Sequence, residues 1–183
     1  MPRHDGPSDP YGCATPSCWA MFTEILARDY SQYQHLPEHR LVVDAYMVQH
    51  PNFATAAGRR SVVIHLTGIY AAVVCHMPFV RIGHMLGEIF PNKEDAPVLA
   101  QPLSNGQFNV GDIYVAAGLK DHSKLAWEWG ISIWQAWRIH EETLLSCLPG
   151  KVRVELSKAW PNQLAGPTPT SVTAPARQEP RRP

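Results

Sequence analysis

The chain has 183 residues, of which 45% are hydrophobic, enough for one domain with a real core. Its 16 basic and 16 acidic residues cancel, which argues against a general binder of nucleic acid or anionic membrane. The start, "MPRHDGPSDPYG", has no apolar run of signal-peptide length, and runs such as "IYAAVVC" fall far short of the roughly 20 residues a membrane span needs, so a soluble cytoplasmic protein is expected.

Residues 1–14 read as an irregular lead-in. Cys13, Cys18, Cys75 and Cys147 are scattered, and the C-x4-C spacing of the first two has no second Cys pair to complete a zinc site, so reduced thiols are expected. "TPSCWAMFTEILARDY" opens the first helix, with Thr15 as N-cap and Pro16 at the first helical position. Cys18, Phe22, Ile25 and Asp29 share its packing stripe. A second helix runs from Pro37 to His50 and ends at Pro51, because proline disfavours α geometry in the residue before it. "ATAAGRRSVVIHLTGIYAAVVCH" is the third, stopped by Met77-Pro78. A long Pro- and Gly-bearing loop follows, with room for a short helix near 81–90. "NVGDIYVAAG" is a short helix capped by Asn109 and ended by Gly118. Asp121 is expected to cap the last long helix, "HSKLAWEWGISIWQAWRIHEETLLSCL", closed by Pro149-Gly150. Residues 151–160 form a short extension, strand or helix, and 161–183 a disordered Pro-rich tail able to engage a protein partner. The whole is an all-α bundle of about five helices over 15–150.

The second helix, "HRLVVDAYMVQHP", carries many groups that are costly to bury. On a helical wheel His39, Val43, Tyr46 and His50 fall on one face, while Asp44 sits about 140° from His39. His39 and His50 are separated by roughly 16 Å along the axis, so only one of them can join any single metal centre. His65 lies on an apolar face of the third helix, and His140 in the stripe of Trp129, Ile133, Trp137 and Leu144. Three helices thus offer an inward His, which is how bundles build metal sites. The ordinary alternative is that each His is hydrogen-bonded in the core, with Asp44, Tyr46, Gln49 and the Trp indole N–H groups as ready partners. Asp44 suits the orienting of a ligating His, the capping of a neighbouring helix or a pair with Arg40. The tryptophans of "WEWGISIWQAW" are expected to fill gaps between helices rather than stack a ligand. No HExxH, G-x-S-x-G, phosphate loop or GxGxxG motif is present.

The strings "PYGCATPSCWAMFTEILARDYS", "HRLVVDAYMVQHP", "SVVIHL", "NVGDI" and "WEWGISIWQAWRIHEE" resemble a family of small, mostly actinobacterial proteins known only as domain-of-unknown-function family 5946. The resemblance places functional-looking positions at His39, Asp44, Tyr46, Gln49, His50, His65 and His140. Many members begin with a Cys-x-x-Cys pair that this chain lacks, and the Glu141 position is often His in relatives. The resemblance implies a shared fold and polar core, and no particular activity.

Two functions are therefore expected. The first is a metal-dependent bundle enzyme for a small organic molecule, fitting secondary metabolism. It has a divalent ion (Zn or Fe) on His65, His140 and either His39 or His50, with Asp44 orienting a ligand and Tyr46 or Glu141 moving a proton. The second is a non-enzymatic interaction or regulatory module in which His, Asp and Tyr form a structural network.

Overall fold

A computed structural model describes residues 6–7, 9–10, 12–33, 37–90, 96–116 and 118–159. The expected tail, 161–183, lies outside the described residues. The described chain is all-α: α1 (Pro16–Ser31), α2 (His39–Gln49), α3 (Ala56–Val73), α4 (Phe79–Leu86), α5 (Val110–Tyr114), α6 (Leu119–Trp137), a 3-10 turn (Arg138–His140), α7 (Glu141–Cys147) and α8 (Gly150–Ala159).

Local chemistry sets most of these boundaries. The Thr15 hydroxyl accepts from the Cys18 N–H at 3.3 Å, and Pro16 takes the first helical position. Thr55 caps α3 through the Gly58 N–H at 3.0 Å. His76, with φ of 47°, closes that helix in the left-handed conformation, and the Met77 N–H reaches back to the Ala71 carbonyl at 2.9 Å. Asn109 and Asp112 form a reciprocal capping box on α5.

The last part of the chain differs from expectation in three ways. Asp121 does not cap α6: the helix begins earlier, with Gly118 at the N-cap, and Asp121 sits in the first turn, where its charge favours the positive helix end. The single helix expected up to residue 148 is broken by the 3-10 turn at Arg138–His140. The inward stripe has a spacing of three between Trp137 and His140, so a tighter turn there brings Leu144 back to the core on α7. The extension is helical, as α8, and buries Val152 and Leu156.

The core is centred on α2, which packs between α3 and α6; α3 and α6 also touch, α1 lies against α5 and α2, and α4 covers α3. A Cβ on Gly130 would fall 3.0 Å from Leu41 Cδ2, so this glycine sets how closely α2 and α6 approach. Trp129 and Trp137 are fully buried in the same core cluster as Leu41, Leu66 and Ile133, in keeping with the expected gap-filling role. Their indole N–H groups have no partner among the described residues. No described helix is long and apolar enough to cross a membrane.

The tryptophan core yields a stability prediction. Trp137→Ala should lower the unfolding free energy by about 3–5 kcal/mol. Trp137→Phe, which also removes an unsatisfied N–H, should cost less than half of that. Urea titrations that find both changes equally costly would contradict this packing.

Candidate functional site

The polar residues of α2 each reach a different neighbour. His39 Nδ1 lies 2.8 Å from Asp29 Oδ2 on α1. The other oxygen of the buried Asp29 lies 3.0 Å from His122 Nε2 on α6, close enough for charge attraction but not aligned as a hydrogen bond. Burial pushes the Asp29 carboxyl up, yet His122 and His39 together outweigh it and hold the group below its ordinary value. Gln49 donates from Nε2 to the carbonyls of Asn105 and Phe108, both at 2.6 Å, and so pins the long loop to the end of α2.

Tyr46 is fully buried, its ring stacked on Phe22 at 3.8 Å and its hydroxyl donating to Asp9 at 3.4 Å. Burial, followed by the Asp9 charge, drives this phenol far above its ordinary range, so it stays protonated. His50 Nδ1 donates to the Tyr46 carbonyl at 3.0 Å. Burial lowers the His50 pKa more than the Tyr46 carbonyl and Asp9 raise it.

Asp44 faces the other way, toward α3. It is fully buried, with Oδ1 2.7 Å from His65 Nδ1 and Oδ2 3.0 Å from Arg40 Nε. The carboxylate thus takes the anticipated pair with Arg40 and a contact to His65 at once, and caps no helix among the described residues. Gly68, one turn after His65, makes the room: a Cβ there would fall 2.3 Å from Asp44 Oδ2. A mid-helix glycine costs roughly 1 kcal/mol relative to alanine. Its use here is to let the two helices close around a carboxylate.

With Nδ1 committed to Asp44, Nε2 is the nitrogen His65 has left, and His65 lines a cleft of about 580 Å³. One wall is apolar, made by Trp19, Phe22 and Leu26 of α1 with Val43 and Met47 of α2. The lining also includes uncharged polar groups, Asn52, Thr55 and Ser61, together with His65. This combination of an apolar wall and a few convergent polar groups is that of a small-molecule site.

The other expected site residues lie elsewhere. His140 Nε2 is 2.7 Å from the Ala100 carbonyl, at the far end of α6 and next to the loop. Glu141 sits beside Tyr70 and Cys75; burial first, and Glu141 among the further causes, raises the Cys75 thiol to about 11. His39, His50, His65 and His140 each engage a different neighbour through one ring nitrogen, and these bonds lend no support to the expected meeting of His65 and His140 with His39 or His50. His140, half-buried at the end of the 3-10 turn, faces the loop at Ala100, and the two ends of α2 face different elements. Among the described residues no group of three or more His, Cys, Asp or Glu side chains is placed to hold a metal ion.

A family model described as "Family of unknown function (DUF5946)" matches residues 6–138. The chain belongs to this family. Neither curated proteins nor solved structures give a match. The DUF5946 match takes in the cleft, Asp44, His65 and Gly68, whereas His140, Glu141, α7 and α8 fall after it. Two features of this DUF5946 chain escaped sequence reasoning. His122, in the first turn of α6, is fully buried against Asp29. Ser61 had a readable signal, its position four residues before His65, which puts both on one helix face.

Two predictions follow from this geometry. Gly68→Ala should destabilise the fold by about 1–3 kcal/mol, despite alanine's better helix propensity, because the new methyl displaces the Asp44 carboxylate. A stabilised Gly68→Ala variant in thermal unfolding would contradict the packing. His50 gives a pH effect. Its folded pKa lies below the ordinary 6.5, so the unfolded chain binds more protons over the window just below that value. Stability should therefore fall as pH drops from about 7.5 to about 5.5, and His50→Gln should flatten that fall. The check is the urea midpoint at the two pH values.

Proposed function

We propose that this chain is a cytoplasmic small-molecule enzyme that uses His65 as a general base and acid at the cleft between α1, α2 and α3. The observation that carries this reading is the Asp44–His65 pair at the cavity edge: Nδ1 is held at 2.7 Å by a buried carboxylate while the ring lines the cleft. A carboxylate on Nδ1 fixes the ring's orientation and tautomer and stabilises the imidazolium formed when Nε2 takes a proton. The lining residues include no charged group apart from His65 if protonated, so the favoured occupant is neutral, largely apolar, and polar along one edge. Such compounds suit secondary metabolism.

The metal-dependent version, with Zn or Fe, keeps only His65 among the four histidines. Catalytic zinc sites take three protein ligands, so acid–base chemistry is the version this donor set favours. The interaction-module reading accounts for Tyr46, Gln49 and His50, whose polar atoms serve neighbouring segments. It leaves unexplained a His–Asp pair facing a cavity.

The occupancy of the cleft can be tested with N-phenyl-1-naphthylamine, a neutral fluorophore that brightens in apolar sites. One molecule should bind per chain, and Met47→Trp, which fills the apolar wall, should abolish the signal without loss of helicity. Unchanged binding to Met47→Trp would place the fluorophore elsewhere and remove the support for this site.

A further inference from the structure

We infer that Ser61 is a nucleophile, activated by His65 and Asp44, and that the cleft takes uncharged carboxylic esters with an apolar acyl group. This rests on the reading of His65 as a base. Ser61 and His65 lie four residues apart on α3 and line the same cleft. Side chains on a helix lean toward its N-terminus, so the His65 ring leans over the turn that carries Ser61. Its Nδ1 is already taken by Asp44, which leaves Nε2 as the nitrogen available to the hydroxyl; no hydrogen bond joins the two side chains among the described residues, and activation closes that gap when substrate binds.

The Ser61 hydroxyl is also unusual for its helix. Thr67, on the same α3, returns its hydroxyl to the Val63 carbonyl at 2.7 Å, as helical Ser and Thr commonly do. Ser61 makes no such bond among the described residues. Asn52 supplies the third element. Its Oδ1 accepts from the Ala54 N–H at 3.2 Å, which leaves the side-chain NH2 as a donor on the cleft wall. Its own carbonyl abuts Gly58, three residues before Ser61, since a Cβ on Gly58 would fall 1.8 Å from it. An amide donor lining the same cleft as Ser61 is suited to an oxyanion.

The step balances as ordinary acyl transfer. The Ser61 Oγ–H proton passes to His65 Nε2 while Oγ bonds to the ester carbonyl carbon, and the carbonyl electron pair moves to oxygen. When it returns, the bond to the leaving alkoxide breaks, and the alkoxide takes the proton from His65. Water, deprotonated by His65 in turn, hydrolyses the acyl-Ser61 to a carboxylic acid and free Ser61. The G-x-S-x-G elbow is not required, because roles and geometry define such a set rather than chain order.

Phenylmethanesulfonyl fluoride tests this on the full chain, since its sulfonyl group is captured by an activated serine with loss of fluoride. Wild type should gain one sulfonyl group, located to Ser61 by peptide mass spectrometry. Ser61→Ala should gain none, and His65→Gln should label about a hundredfold more slowly or worse. N-phenyl-1-naphthylamine binding, measured on all three proteins, separates the claims. If the fluorophore binds wild type and Ser61→Ala alike but no adduct forms on Ser61, the nucleophile inference is overturned and the cleft reading stands. An adduct on another residue overturns it as well. If neither fluorophore nor sulfonyl group attaches, both readings fail together.

Discussion

The buried carboxylate of Asp44 is the constraint around which the site is arranged. An ion removed from water costs several kcal/mol unless its partners are close and well placed. Here one oxygen meets His65 at 2.7 Å and the other meets Arg40 at 3.0 Å. The Arg40 side chain is 31% exposed, so its pull is screened by solvent, and the drier, shorter contact to His65 is the stronger restraint. Gly68 completes the arrangement by leaving a hole the size of a methyl group where the carboxylate sits. Because α2 and α3 close on this hole, the requirement of one charge also fixes their register and the direction of the His65 ring.

The same logic explains how a helix as polar as α2 can occupy the centre of the core. Each of its polar groups is satisfied by a different segment: Asp29 of α1 for His39, Asp9 of the lead-in for Tyr46, and the loop carbonyls of Asn105 and Phe108 for Gln49. These bonds tie α2 to α1, the lead-in and the long loop. Apolar packing against α3 and α6 fills the space between them. The family resemblance at "VDAY" and "QHP" therefore coincides with the residues that hold the bundle together. Only Asp44 among them leads to the cleft, and it does so through His65.

Much of the fold was legible because its signals are local. Thr15, Pro16, Asn109 and Pro51 act within a turn of where they stand, and the all-α class follows from hydrophobic period. The start of Leu119–Trp137 is ambiguous in sequence because Asp121 is as good a first-turn residue as it is a cap, and a glycine such as Gly118 can end one helix or stand at the N-cap of the next. The site was half legible. Asp44 and His65 could be picked out as polar residues on apolar helices, but not paired, since they lie 21 residues apart in the chain. The expected meeting of His65 and His140 with His39 or His50 was not legible, because a wheel gives the face of a helix and not the neighbour that face meets. His39 and His122 share Asp29, an arrangement that depends on how α1, α2 and α6 are placed.

The central claim is that Asp44 holds His65 as a base whose Nε2 is open to the cleft. A long-range proton–nitrogen spectrum of the histidine rings at pH about 8, with His65 assigned by substitution, reads this directly, because neutral imidazole carries its proton on one nitrogen only. The account predicts a His65 ring protonated at Nδ1 and bare at Nε2, with that preference lost in Asp44→Asn. A His65 ring protonated at Nε2, indifferent to Asp44→Asn, would contradict it.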